Sequence, residues 1–145
     1  MRKQNFKSDF DFVLSFLDGE GNDVGFPDFN WRMTLYTKSK ELSYEVSHQY
    51  GENTNCRNEE GKIHAYIDRH EFPVGELLFE LEVEIPDKGF PDGSRKVFVR
   101  DSTDIEIVNE KGQTLSGVIV PVTVPHLKKE EEATPPAQEG KEQGA

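Results

Sequence analysis

Four glutamates on one short segment are the first residues with types and spacing that could do chemistry. In GELLFELEVEIPDKGFPDG (75–93), Glu76, Glu80, Glu82 and Glu84 stand among Leu77, Phe79, Leu81, Val83 and Ile85. Period two puts these carboxylates on one face of a strand, alternate ones about 7 Å apart. Such a span would suit paired carboxylate catalysis. A working pair, however, comes from different strands that face a cleft, and acids in single file repel one another. The default reading is a solvated face, or a guard against edge-to-edge pairing. A partner's basic patch comes second and catalysis third.

The remaining candidates are weaker. DGEGND (18–23) gathers acidic and amide oxygens that could take calcium, but it lacks the EF-hand offsets and the distal bidentate glutamate. A hairpin turn accounts for it better. His48, His64, His70 and His126 lie on separate segments without metal-ligand spacing, and His64 is expected to face solvent. RHE (69–71) has no accompanying nucleophile motif. Cys56 is the single cysteine, which excludes an intramolecular disulfide and a thiolate-rich zinc site. Arg57 beside it could lower its pKa, yet a half-buried structural thiol is the simpler expectation. No glycine loop precedes a helix to cradle phosphate. Tyr36, Tyr44, Tyr66 and Phe72 could form an exposed aromatic surface for sugar stacking, whereas Trp31 shares the apolar face of its strand. No catalytic, cofactor or metal residue is predicted.

The elements that must position these residues are all of period two. FDFVLSFLD (10–18), FNWRMTLYTK (29–38), LSYEVSHQY (42–50), KIHAYID (62–68), the glutamate segment, KVFVRDSTDIEIVNE (96–110) and LSGVIVPVTV (115–124) read as strands. Pro121 confines the last of them to an edge. GENTNCRNEEG (51–61) is polar and reads as a loop. No segment repeats apolar residues at helical spacing over three turns. Seven or eight short strands at intervals near a dozen residues predict an all-β, antiparallel two-sheet β-sandwich, Ig-like or jelly-roll-like. GFPD occurs at 25–28 and again at 89–92, but the flanks differ, so it reads as a reused turn rather than a duplication.

Three regions are expected: a flexible basic arm over 1–8, the sandwich over 9–124 and a disordered polar tail over 125–145. The tail is rich in Glu, Lys, Pro, Gly and Gln, and cannot bury enough apolar surface to offset the entropy of ordering. With 34% hydrophobic residues and a net charge of −11, the chain disfavours nucleic acid and anionic membranes as partners. The start of the chain lacks the apolar core of a signal peptide, and no run approaches membrane-spanning length. A reducing cytoplasm is the expected site of synthesis.

The segments DFDFVLSFLDGEGNDVGFPDFNWRMTLYT and KIHAYIDRHEFPVGELLFELEVEIPDKGFPDGSRKVFVRDSTDIEIV carry a resemblance. The features are Asp18–Gly19 after the opening strand, Trp31-Arg-Met-Thr34-Leu-Tyr36, His70-Glu-Phe72-Pro-Val-Gly75, and Ile85-Pro86-Asp87 followed by Phe90–Gly93. Over about residues 8–108 the chain resembles small structural proteins of phages and prophages of gut Bacteroidetes. It is similar in plan to the N-terminal β-sandwich of phage upper baseplate and fibre proteins. The resemblance implies a non-enzymatic virion part of a head fibre, baseplate or tail fibre, assembled in the bacterial host cytoplasm. It implies a homo-oligomer, dimer or trimer, that docks on capsid, fibre or baseplate proteins, with no cofactor and no small-molecule substrate. Arg2, Lys3 and Lys7 are the candidate docking arm. The rival expectation is a carbohydrate- or cell-surface-binding sandwich using the four rings named above.

Overall fold

The computed structural model describes residues 1–39, 42–68, 70–109 and 113–128. Among them the chain is all β, with ten strands in two sheets: β1 (Arg2–Asn5), β2 (Phe10–Leu17), β3 (Trp31–Tyr36), β4 (Ser43–Gln49), β5 (Glu52–Thr54), β6 (Cys56–Glu59), β7 (Lys62–Ile67), β8 (Gly75–Pro86), β9 (Ser94–Val108) and β10 (Val118–Thr123). One sheet runs β1-β9-β8-β3-β4-β5 and the other β10-β2-β7-β6.

The alternation in the sequence is the cause of the core. Phe10, Phe12, Leu14 and Phe16 point inward from β2, and Ile63, Ala65 and Ile67 from β7. They meet Trp31, Met33 and Leu35 of β3 and the five odd-numbered apolar residues of β8 in a single buried cluster. Burying each large side chain is worth roughly 1.5–3 kcal/mol, so this cluster is what holds the two sheets face to face.

Several expectations need correcting. The polar loop over 51–61 instead forms β5 and β6. Tyr50–Gly51 and Glu60–Gly61 both have positive φ, the backbone of tight hairpin turns, and Asn55 (φ 58°) carries the chain from one sheet to the other. These strands have no apolar alternation because backbone pairing holds them, so periodicity could not show them. The sheets are mixed rather than antiparallel, for β1 pairs parallel with β9 and β10 pairs parallel with β2. Side-chain alternation is the same in either direction and says nothing about strand polarity.

The basic arm is not free over its whole length. Residues 2–5 are β1, and Gln4 is fully buried. Its Nε2 donates to the carbonyls of Ser8 (3.0 Å) and Asn5 (3.2 Å), and its Oε1 accepts the Leu115 N–H at 2.7 Å. A single buried amide thus ties the start of the chain to the segment leading into β10. At the other end, Leu127 is buried past the expected domain limit at 124, and residues 129–145 of the expected tail lie outside the described residues.

A bulge divides β9. Leu77 pairs with Ile105 but Leu78 with Ser102, so Thr103 and Asp104 are extra. Asp104 has φ 64°, and the Thr103 hydroxyl donates to the Leu77 carbonyl at 2.7 Å. β1 covers β9 only beyond the bulge, from Ile105 to Val108.

Candidate functional site

Two of the four glutamates pair with arginines across the outer sheet face. Glu80 lies 3.2 Å from Arg100 of β9 and Glu82 lies 3.0 Å from Arg32 of β3. Glu84 accepts a hydrogen bond from the Asn30 side chain at 3.1 Å. The strand register sets these pairs, since Glu80 faces Arg100 and Glu82 faces Arg32. Partly exposed pairs of this kind contribute little energy, about 0–1 kcal/mol each. Glu76 lies opposite Glu106 of β9 in the register, so at that end of the row two carboxylates of different strands face each other.

The other candidate groups are engaged structurally. Asp18 is buried, and its Oδ1 accepts the N–H groups of Glu20 and Asn22, both at 2.9 Å, so DGEGND is a carboxylate-capped turn. His70 is buried with Nε2 2.9 Å from the Ser8 carbonyl, and its ring packs edge-on against Phe10. Burial pushes the Cys56 thiol up to about 11, and its Sγ donates to the Ser47 carbonyl at 3.3 Å. Burial thus favours the protonated thiol over the thiolate at neutral pH. Arg57 turns the other way, to the outer face of β6. Among the described residues no group of three His, Cys, Asp or Glu side chains is placed to hold a metal.

The four candidate rings do not share an exposed surface. Phe72 is only 1% exposed and Tyr36 is buried. Tyr44 packs on Phe72 and donates its hydroxyl to Asp68 at 2.8 Å. Tyr66 sits on the far sheet, donating to Glu59 under the Arg57 guanidinium. This cluster of Arg57, Glu59, His64 and Tyr66 was invisible in the sequence, because two of its members fall in the stretch that reads as a loop. The Tyr66 hydrogen bond holds the Glu59 carboxyl below its usual range, so the cluster is an internally satisfied ion pair on the outer face.

One flank has no strand alongside it among the described residues. Before the bulge, β9 has β8 on one side and, among the described residues, no strand on the other. β10 touches β9 across the core and is itself the end strand of the smaller sheet. Two strand edges therefore lie together on one side of the molecule. Phe98 (52% exposed) and Ile119 (54%) stand on them, with Val97, Val99 and Val118 half-buried between. Arg2 donates to the Ile119 carbonyl at 3.4 Å, so the predicted docking residue caps one group of this edge. Lys7 is 4.0 Å from Glu71, and Lys3 sits in β1, paired with Glu106 of β9 in the register.

The described fold is thus an all-β, two-sheet protein with a closed end of β9 and an open one. Comparison with protein-family models, with curated proteins and with solved structures finds no match to this chain. Among the described residues no helix is long and apolar enough to cross a membrane.

Proposed function

We propose that the protein is a non-enzymatic attachment module, a β-sandwich of Ig-like or jelly-roll-like kind that works by contact. Its setting is a phage particle, where it serves as a head-fibre, baseplate or tail-fibre adaptor that oligomerises and docks on other virion proteins. The open flank is the observation that carries the contact reading. Two neighbouring strand edges with exposed Phe98 and Ile119 have no further strand alongside among the described residues, which is the setting for strand addition by a second chain. Arg95, Lys96 and Arg100 on the same stretch of β9 restrict which edges are admitted. The virion setting rests on the resemblance over residues 8–108.

Light scattering behind size exclusion tests the contact half. A dimer or trimer that becomes monomeric when Phe98→Glu is combined with Ile119→Lys supports the reading. A parent protein that stays monomeric at about 1 mM, above any useful assembly affinity, sinks it. For the setting, the protein should co-sediment with phage particles. The triple change Arg2→Gln, Lys3→Gln and Lys7→Gln should reduce that association without disturbing β1, which deletion would.

A further inference from the structure

A cavity of about 730 Å³ opens at one end of the sheets, between the β2–β3 connection, the β8–β9 hairpin and residues 126–128. Its size is in the range of ligand sites. The floor is apolar, formed by Phe26, Phe29, Ile85 and Leu127. The rim carries Lys88, Arg95 and Lys128 against Asp28 and Asp87. In a chain of net charge −11, this is a locally cationic mouth over a greasy floor.

Arg95 is held in place before anything binds. Its Nε donates to Asp87 Oδ2 at 3.0 Å, while the other Asp87 oxygen accepts the Gly89 N–H at 2.9 Å. The guanidinium lies 4.7 Å from the Phe90 ring centroid, and Nη1 is 3.4 Å from His126 Nε2. Among the described residues Asp87 is the only carboxylate within ion-pair distance of it, and it occupies the Nε edge alone. A planar cation fixed by stacking and one carboxylate loses little entropy on meeting a second.

The repeated tetrapeptide explains how the mouth is built. Both GFPD copies are at this end of the molecule, in different roles. In the first, Phe26 forms part of the apolar floor and packs edge-on against Trp31 and His48. In the second, Phe90 is the platform beneath Arg95. Two unrelated turns thus supply the apolar and the cationic half of one site.

We propose that this cleft binds an acidic, extended segment of a partner polypeptide, with an apolar side chain on the floor and a carboxylate on Arg95. The three separate cations suit a chain with several carboxylates better than a compact single-headed anion. The inference rests on the attachment reading and names the chemistry of the docked partner. Its test does not depend on whether the flank self-associates, so the two can fail separately.

The probe is the synthetic peptide acetyl-EELFEE-amide, titrated into the full-length protein labelled with nitrogen-15. Saturable amide shifts confined to residues 24–29, 86–95 and 124–128 are expected. Binding should weaken about tenfold in Arg95→Gln. If that variant loses its dispersed spectrum, Lys88→Gln with Lys128→Gln serves instead, and should weaken binding too. Acetyl-KKLFKK-amide and acetyl-EEGGEE-amide should bind far more weakly. Absence of saturation by EELFEE, or equal binding of either control, overturns the proposal. So does equal binding of phenylbutyrate, which would make the cleft a small-molecule site. Tighter binding of a peptide with the sequence of residues 129–145 would reassign it to this chain's own C-terminal segment.

Discussion

The two parts of β9 share one strand and one alternation, yet they have opposite surroundings. After the bulge, Ile105, Ile107 and Val108 are buried and β1 lies alongside. Before it, Val97 and Val99 face the same core but are only half-buried, and Phe98 is exposed on the outer face. The difference is not in hydrophobicity, since KVFV is as apolar as IEIV. It lies in whether a neighbouring strand covers the edge, and that neighbour, RKQN, is polar throughout. Burial at a sheet edge is therefore decided by a segment whose own composition gives no hint of it. The bulge at Thr103–Asp104 marks where the covered region begins and adds local twist to the strand there.

The sharpest way to break this contrast is to shorten one side chain on each side of the bulge. Ile107→Ala removes fully buried methyl groups and is expected to cost about 2–5 kcal/mol. Val97→Ala, at the half-buried open end, should cost less than about 1 kcal/mol. Urea unfolding of the two variants measures both. Equal losses would mean that the open end is covered in solution, which is the outcome expected if the flank pairs with another chain.

That asymmetry also shows what was legible in the sequence and what was not. β2, β3, β7 and β8 were readable because each buries one face, and alternation is the direct trace of that burial. β1, β5 and β6 were not, since backbone pairing and a buried glutamine hold them in place of a greasy face. The parallel pairing of β1 and β10 left no trace either. The cleft draws Phe26, Arg95 and His126 from three distant segments. Its one local signal was the doubled GFPD, which turn chemistry alone was enough to explain. Tyr36 and Phe72 misled for different reasons: alternation puts Tyr36 with Arg32 and Thr34 on the face away from the core, yet it is buried, and Phe72 lies in the β7–β8 connection, where no periodicity shows which way it points.

A smaller effect tests the clasp that closes the covered half. Gln4→Leu removes both the donor and the acceptor that join Asn5, Ser8 and Leu115 while keeping apolar bulk. Leaving those backbone groups unpaired should cost about 1–3 kcal/mol. More tellingly, amides of Ile105–Val108 should lose exchange protection toward the level of the uncovered stretch, while those of β3 and β8 keep theirs. Loss of stability without that local change would show that β1 is not what shields the strand.

The least costly change probes the outer face of the open half. Arg100 lies 3.2 Å from Glu80 and its guanidinium is 5.5 Å from the Phe98 ring centroid. Both contacts are solvent-exposed, so Arg100→Gln should change stability by no more than about 0.5 kcal/mol. Its effect on association has the opposite expectation. Removing the cation leaves Glu80 unpaired in a chain of net charge −11, which raises repulsion against an incoming copy, so light scattering should show weaker self-association at low salt that added salt restores. An unchanged oligomer distribution at every ionic strength would show that the charges on β9 do not select what pairs there.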